Sequence, residues 1–204
     1  MKPLSRILII AAATAGLSSA TVTVNCKDFT TLSAGIPVLD ASGNAAPTNI
    51  GWSVGYFSAG TNFATDSAAT LKTEFTIFGS TSTTWFRNGL MNASITASLP
   101  ANDTSYTGKT IYTVVGDAAT IANSTIFAIF SAGVTFPTVD GTGTGLATDV
   151  TSVAGNVVYG TLMTPNTQPT GGTFTQGVKM TSVPESSTAL LGALGALGLL
   201  RRRR

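Results

Sequence analysis

Histidine is absent from this chain of 204 residues, and cysteine occurs once, as Cys26. Without histidine there is no Ser-His-Asp or Cys-His arrangement, no histidine-ligated zinc, and no side chain that ordinarily titrates near neutral pH. A single thiol can form neither a thiolate metal cluster nor an intrachain disulfide. Cys26 is therefore expected to be buried in the first strand as a small apolar residue, and the alternative is a thiol that pairs between molecules.

The carboxylates are the remaining acid–base groups, and they are scattered along the sequence. Glycoside hydrolysis needs two carboxyl groups on facing elements. Between the two ends of the chain Glu74 is the only glutamate, and most aspartates fall in turn sequences, where bonds to the backbone explain them. A solvated or capping role is favoured for these carboxylates. The sequence predicts that the protein is not an enzyme and has no catalytic, cofactor-binding or metal-binding residues.

Two glycine-containing loops resemble ligand sites only faintly. The loop at 140–145 (Asp-Gly-Thr-Gly-Thr-Gly) lacks the spacing of a phosphate-binding loop and its Lys-Ser/Thr ending. The loop at 40–44 (Asp-Ala-Ser-Gly-Asn) lacks the downstream acid that a calcium loop needs. Both are interpreted as ordinary turns.

Aromatic side chains could form an apolar platform for a sugar ring. Trp52 lies in an alternating apolar pattern and is predicted to be in the core. Trp85 and Phe86, beside Arg87, are interpreted as the only aromatic pair near a loop. Core packing is favoured for this pair, and a carbohydrate-binding platform is the alternative.

The C-terminal residues combine an apolar segment with a cluster of cations. Residues 188–200 contain only Thr, Ala, Leu and Gly. As a helix this segment would be about 20 Å long, shorter than the ~30 Å hydrocarbon core of a bilayer. Arginines are costly to move through a membrane, so the sequence predicts a hydrophobic helix that the arginine clamp retains transiently in the membrane. A buried helix of a soluble domain is disfavoured, because no polar face is present. The clamp consists of Arg201, Arg202, Arg203 and Arg204.

The N-terminus has the three parts of a secretory signal peptide. Lys2 and Arg6 supply positive charge, residues 7–17 are apolar, and small residues precede Thr21. The sequence therefore predicts a signal peptide at 1–20, which signal peptidase cuts between Ala20 and Thr21. A retained N-terminal anchor is disfavoured because the apolar stretch is short for a membrane span.

The tail sequence resembles the PEP-CTERM sorting signal of exported bacterial proteins. This chain has Ser186 where the family has a second proline, and the mature domain shows no resemblance to a known family. The resemblance implies that an exosortase-type membrane enzyme cuts the chain near Pro184 and Glu185, and that the product reaches the cell surface or extracellular polymer. Besides the terminal arginines, the matching residues are Val183, Pro184, Glu185, Ser186, Ser187, Thr188, Ala189, Leu190, Leu191 and Gly192.

The net charge of +2 belongs to the two ends of the chain. Charged residues make up 10% of the sequence, against roughly 25% in ordinary domains. The middle is mildly acidic and has no basic patch, so nucleic-acid binding has no electrostatic support. Its bases are Lys27, Lys72, Arg87, Lys109 and Lys179, and its acids are Asp28, Asp40, Asp66, Glu74, Asp103, Asp117, Asp140 and Asp149.

The apolar pattern of residues 21–180 has mostly a period of two. It predicts one mainly β domain, an antiparallel sandwich or barrel with one short helix from Asp66, as its cap, to about Phe75. The signal peptide (1–20) and the sorting tail (181–204) flank this domain. Strands are predicted at 22–24, 36–39, 50–56, 94–99, 110–115, 125–130, 156–163 and 173–180.

The two ends and the missing catalytic groups favour one function class. The sequence predicts a non-catalytic exported protein of the cell envelope or extracellular matrix. It would be membrane-anchored by its tail before processing and then located at the cell surface or outside the cell. A secreted carbohydrate-binding module is the alternative, and a hydrolase is a distant third. The expected partners are signal peptidase, the exosortase-type enzyme and the membrane, with extracellular polysaccharide as a further candidate.

Overall fold

The structure is a computed structural model that describes residues 19–31, 34–83, 85–100, 102–139, 146–151 and 156–182. Within these residues, none of the helices has the length and apolar character needed to cross a membrane. The predicted signal peptide, apart from its last two residues, lies outside the described part. So do the predicted sorting residues Val183 to Glu185, the predicted hydrophobic helix at 188–200 and the arginines at 201–204.

The described chain is mainly β, with one short α-helix and one 3-10 turn. The helix α1 spans Ala68–Glu74, and the 3-10 turn spans Ile121–Asn123. The strands are β1 Ser19–Lys27, β2 Phe29–Thr31, β3 Ala34–Gly35, β4 Val38–Leu39, β5 Trp52–Phe57, β6 Phe75–Thr81, β7 Trp85–Arg87, β8 Leu90–Pro100, β9 Thr110–Gly116, β10 Phe127–Thr135, β11 Leu146–Thr151, β12 Val157–Tyr159, β13 Thr161–Met163 and β14 Gly177–Lys179.

These strands form several sheets that are mostly antiparallel. A four-stranded sheet has the order β11-β1-β8-β7, and a five-stranded sheet has the order β12-β10-β9-β5-β6. Smaller sheets join β13, β14 and β4, and β2 with β3. Two pairs, β1 with β11 and β14 with β4, are parallel. The expectation of antiparallel pairing is therefore correct for most neighbours and wrong for these two.

The five-stranded sheet has a core cluster on each of its faces. Successive side chains of a strand point to opposite sides, so one strand contributes to both clusters. On β9, Ile111 and Val115 belong to the first core cluster, which also contains Val22 and Val24 of the four-stranded sheet. The intervening residue Val114 belongs to the second core cluster, on the opposite face. The second core cluster consists of Leu71, Phe75, Val114, Ile121, Phe127 and Ile129.

The strongest predicted alternation is confirmed in β5. Trp52 is only 2% exposed, and both Trp52 and Val54 pack in the first core cluster. The prediction placed strands over parts of β1, β4, β8, β9, β10, β12, β13 and β14, but it omitted β2, β3, β6, β7 and β11. Chain segments such as Phe75–Thr81 have no clean period of two, and only pairing with β5 defines them as strands.

The predicted helix is present but shorter, and its cap is a different residue. The hydroxyl of Ser67 accepts the backbone N–H of Thr70 at 3.1 Å, so Ser67 caps α1 and Asp66 does not. Phe75 has extended backbone angles and opens β6. Phe78 lies in β6 and packs in the first core cluster, so its helical spacing from Leu71 was misleading.

Candidate functional site

The aromatic pair identified in the sequence is divided between the core and the surface. Trp85 is half-buried against the first core cluster, and its indole N–H donates to the carbonyl of Ile50 at 2.8 Å. Phe86 is 46% exposed, and its ring lies 5.2 Å from that of Phe29. The two neighbours therefore do not form one platform, and the prediction of core packing is confirmed for Trp85 only.

The cation beside Phe86 serves the fold. The guanidinium carbon of Arg87 lies 5.1 Å from the centre of the Phe86 ring. The same guanidinium donates to the carbonyl of Thr170. We call the rings of Phe29 and Phe86 with the Arg87 guanidinium the surface stack. It links β2, β7 and the segment near Thr170, and none of the described pockets is lined by these three residues.

A concave site lies elsewhere, where β5 ends and β9 begins. It is an open pocket of about 360 Å³, within the range of small-molecule sites. Its apolar wall consists of Phe57 at the end of β5, Phe63 in the following loop and Tyr112 in β9. We call it the aromatic pocket.

The three rings of the aromatic pocket hold one another in place. The ring of Phe57 contacts Phe63 and Tyr112 edge-to-face at 4.9 and 5.2 Å between centres, and Phe63 lies 5.4 Å from Tyr112. Such geometries are favourable for aromatic pairs. All three rings are half-buried and pack against the second core cluster. The wall is thus an extension of the core that remains partly open to solvent.

The loop that contains Phe63 is fixed by reciprocal bonds between its ends. The carboxylate of Asp66 accepts the backbone N–H of Asn62, and the backbone N–H of Asp66 donates to the Asn62 carbonyl at 2.8 Å. The side chain of Asn62 also accepts the backbone N–H of Ala64 at 3.1 Å. Asp66, predicted as a helix cap, therefore positions the loop that places Phe63 over the pocket.

Hydroxyl groups and turn backbone form the polar side of the pocket. Ser58, Thr61 and Thr110 line it together with Gly60 and Gly108. Both glycines have positive backbone φ angles, +99° for Gly60 and +72° for Gly108, which residues other than glycine rarely adopt. The hydroxyl of Thr61 donates to the Ser58 carbonyl at 2.9 Å, and its oxygen retains acceptor capacity.

Lys109 is the charged residue of the pocket, and no acidic residue occurs among the described residues that line it. Its ammonium lies 5.7 Å from the centre of the Tyr56 ring. Its backbone N–H donates to Tyr106 and its carbonyl accepts from Phe136, both at 2.9 Å. The backbone is therefore fixed, while the side chain is exposed and forms no ion pair with any residue that the structure describes.

Cys26 is buried, as predicted, and its chemistry is suppressed. The side chain is 2% exposed in β1. Burial raises the pKa of its thiol to about 12, with the neighbouring Thr113 hydroxyl acting in the opposite direction. The thiolate is the reactive form of cysteine, and burial disfavours it here. Cys26 therefore acts as a packing residue of the core in the folded chain.

Two carboxyl groups depart from the predicted solvated or capping role. Asp28 is fully buried, and its Oδ1 accepts the backbone N–H of Met91 at 2.8 Å. Burial raises the pKa of Asp28 well above its usual value, and the bond from Met91 opposes that rise. Glu74 ends α1 with one buried oxygen that has no partner among the described atoms.

The loops that resembled ligand sites have different outcomes. Asp40 accepts the backbone N–H groups of Ser42 and Asn44 at 2.8 and 3.0 Å, which is the geometry of the predicted turn. The loop at 140–145 lies outside the described residues. Across the described part of the chain, no group of three or more His, Cys, Asp and Glu side chains could hold a metal ion.

The sequence interpretation missed the aromatic pocket, although one signal was present. Tyr56 and Phe57 form a second aromatic pair beside a loop, so the statement that Trp85 and Phe86 are the only such pair was wrong. In β5, Tyr56 packs against the first core cluster and Phe57 against the second.

Comparison of the chain with protein-family models, curated proteins and solved structures finds no match.

Proposed function

We propose that this protein is a non-catalytic exported component of the cell envelope or extracellular matrix, sorted through its PEP-CTERM-like tail. One observation leads to this proposal: the sequence Val183-Pro184-Glu185 is followed by the apolar segment 188–200 and four terminal arginines. A charged, apolar and small-residue order at the N-terminus supports the same route.

The end of the described fold is compatible with removal of the tail. Thr181 exchanges two backbone hydrogen bonds with Phe127, at 3.1 and 3.2 Å. These are the last bonds of the described chain to β10, and they precede Val183. Cleavage near Pro184 and Glu185 would therefore leave the strand pairing of residues 21–180 intact.

The start of the fold is compatible with signal peptide removal. Cleavage between Ala20 and Thr21 would leave residues 21–27 of β1, including the paired stretch from Val22 to Lys27 with β11. It would remove the first two pairs with β8, Ser19 with Pro100 and Ala20 with Leu99.

We propose that residues 21–180 form a single β-sandwich, since the first core cluster contains side chains from both large sheets.

The absence of catalysis is part of the proposal. Three aspartates have structural partners: Asp40 closes a turn, Asp66 fixes the loop before α1, and Asp117 accepts three hydrogen bonds from Thr125 and Ile126. Carboxylates engaged in this way are poorly placed to exchange protons with a substrate. No cofactor or metal is required for the proposed role.

The sorting proposal is tested by following both termini. The full-length protein is expressed in a host that has an exosortase-type sorting system, and the C-terminal and N-terminal peptides in membrane and medium are identified by mass spectrometry. We expect material beginning at Thr21 and lacking 188–200 in the medium. Deletion of Arg201 to Arg204 should leave the chain uncleaved or poorly sorted, because the short apolar segment loses the charges that retain it.

A single substitution, Arg204→Ala, is the matched control for the deletion. Three arginines remain, so sorting should change little. Identical products in identical fractions from the full-length and deleted chains would show that the arginine clamp is not the retention device. Intact Met1 in secreted material would contradict the signal peptide.

A carbohydrate-binding module is the second candidate function, and the aromatic pocket favours it. Aromatic rings beside hydroxyl and backbone groups in an open cavity suit a sugar, which has apolar C–H faces and a polar rim. Titration of mature protein, purified from the medium, with a panel of soluble oligosaccharides tests this candidate. Saturable binding at the pocket would support it.

A further inference from the structure

We propose that the aromatic pocket binds an acidic sugar, a uronic acid unit of an extracellular polysaccharide, and that Lys109 pairs with its carboxylate. This inference rests on the carbohydrate-binding candidate and specifies its ligand class. The two ring-bearing strands and the loop at 58–67 supply the apolar wall, and Lys109 supplies the one charge.

The charge of the pocket favours an anionic ligand. Lys109 lies at the pocket in a domain whose acids outnumber its bases. None of the described lining residues is acidic, so no internal carboxylate neutralises the ammonium. A neutral sugar would need only the rings and hydroxyls. The cation adds a preference that a neutral ligand could not use.

Lys109 directly precedes β9, whose residues Thr110 and Tyr112 also line the pocket. The Tyr56 ring lies under the ammonium at 5.7 Å, and Thr110 and Tyr112 follow Lys109 along β9. Tyr56 packs against the first core cluster and does not line the pocket, whereas Phe57 and Tyr112 pack against the second, so the ring that holds the ammonium is not part of the pocket wall. A ring-shaped ligand on Tyr112 would have to draw Lys109 away from Tyr56 to pair its carboxylate with the ammonium.

The expected size of the charge effect follows from exposure. Ion pairs between exposed groups contribute about 0.2–1 kcal/mol, which corresponds to a change in affinity of up to about fivefold. Lys109 should therefore set the preference for an acidic sugar, while the rings and hydroxyls provide most of the affinity. The preference should weaken as salt is added, because the pair is solvent-exposed.

The experiment uses mature protein purified from the medium and three probes: an oligouronate, a neutral oligosaccharide of the same length, and inorganic phosphate. Binding is measured by isothermal titration calorimetry at low and high salt. The variant is Lys109→Gln, which keeps the backbone bonds to Tyr106 and Phe136. The matched control is Lys27→Gln, an exposed lysine on β1 of the other large sheet.

We expect the wild-type protein to bind the oligouronate about threefold to fivefold more tightly than the neutral sugar. Lys109→Gln should abolish that preference, and Lys27→Gln should retain it. A denaturation midpoint of Lys109→Gln equal to that of the wild type would show that the variant is folded.

Each contrary outcome has a distinct meaning. Equal binding of both sugars, or a preference that survives Lys109→Gln, would overturn the acidic-sugar inference and leave the carbohydrate-binding candidate standing. Phosphate binding as tight as the oligouronate would identify a general anion site and also overturn the inference. Binding of neither sugar would overturn both the inference and the carbohydrate candidate, whereas the sorting proposal is tested separately by the termini.

Discussion

The aromatic pocket and the surface stack both place rings at the surface, yet the rings of the pocket line a described cavity, whereas those of the stack line none of the cavities described. Its rings come from β5, a loop and β9, and they meet on one face of the five-stranded sheet. In the surface stack, Phe86 is exposed to solvent. Its neighbour in the sequence, Trp85, packs against the first core cluster instead. Adjacency along a strand separates side chains, whereas adjacency across strands brings them together.

The register of the strands explains why the pocket rings meet. Gly55 of β5 is opposite Tyr112 of β9, so Phe57 lies two residues further along the same strand, on the same face as Gly55. Diagonal neighbours at this spacing are within reach of aromatic side chains. A side chain at Gly55 would collide with the carbonyl of Thr76 and the ring of Phe75, so packing requires glycine at this position. The pocket therefore depends on cross-strand register, which the sequence does not state.

The largest change in the free energy of unfolding is expected at Trp85, which packs against the first core cluster beside the surface stack. Trp85→Ala should lower the free energy of unfolding by about 2 to 3 kcal/mol, because a half-buried ring and its bond to the Ile50 carbonyl are lost. Urea denaturation monitored by circular dichroism measures this change. Trp85→Phe, which retains a ring and loses only the N–H, should cost about 1 kcal/mol. Sugar binding that disappears in both variants without a stability change would place the ligand at Trp85.

Protonation of Asp28 should affect stability near the surface stack and not at the aromatic pocket, because Asp28 directly precedes Phe29 of the stack. Burial raises the pKa of Asp28 in the folded state, so the folded chain binds a proton that the unfolded chain releases above about pH 4. The contribution of Asp28 is therefore fully present below that pH, and it is lost as the pH rises through the folded pKa.

Asp28→Asn tests this dependence. The substitution keeps an oxygen that can accept the Met91 N–H and removes the titration. The free energy of unfolding, measured by urea denaturation from pH 4 to pH 9, should fall with rising pH more steeply in the wild type than in the variant. Parallel pH profiles would show that Asp28 titrates normally. Lys109→Gln serves as the control, since a change in the pocket should leave the difference intact.

The sequence predicted the parts of the fold that depend on local pattern. The alternation around Trp52 identified β5 and the side chains of its core face, and the tendency of a free cysteine to pack as a small apolar residue predicted the burial of Cys26. β6 and β7 were missed because partner strands, not local periodicity, define them. The cap of α1 was misplaced by one residue, since Asp66 finds a better partner in Asn62 than in the helix.

The candidate site was less predictable than the fold. Phe57, Phe63 and Tyr112 are separated by up to 55 positions in the sequence, and nothing local marks them as neighbours. Lys109 stands out only once the lining is known to contain no acid. The proposed sorting tail is the opposite case, because its order of polar, apolar and basic residues can be read directly from the sequence.

A third variant tests the pocket wall directly. Phe63→Ala should weaken sugar binding by about tenfold, or about 1.4 kcal/mol, because the loop ring covers the wall beside Tyr112. The cost in stability should be smaller, about 1 kcal/mol, since Phe63 is only half-buried. Calorimetry with the better-binding sugar measures the first change, and urea denaturation the second. Unchanged affinity in a folded Phe63→Ala variant would remove Phe63 from the site.

The smallest effect is expected at the exposed ring of the surface stack. Phe86→Ala removes a side chain that is 46% exposed and that contacts Phe29 and Arg87. Ring and cation contacts at exposed sites contribute about 0.5–1 kcal/mol, so the free energy of unfolding should fall by no more than that.

Sugar affinity should be unchanged in Phe86→Ala, which makes this variant the matched control for Phe63→Ala. Both changes remove one phenylalanine ring from the surface, and only one of them lies at a cavity. The two variants are titrated with the same oligosaccharide under the same salt conditions. If Phe86→Ala abolished binding while Phe63→Ala retained it, the ligand would lie on the surface stack. Concavity would then be the wrong criterion for the binding site of this protein, and the aromatic pocket would be a feature of packing at the end of β5.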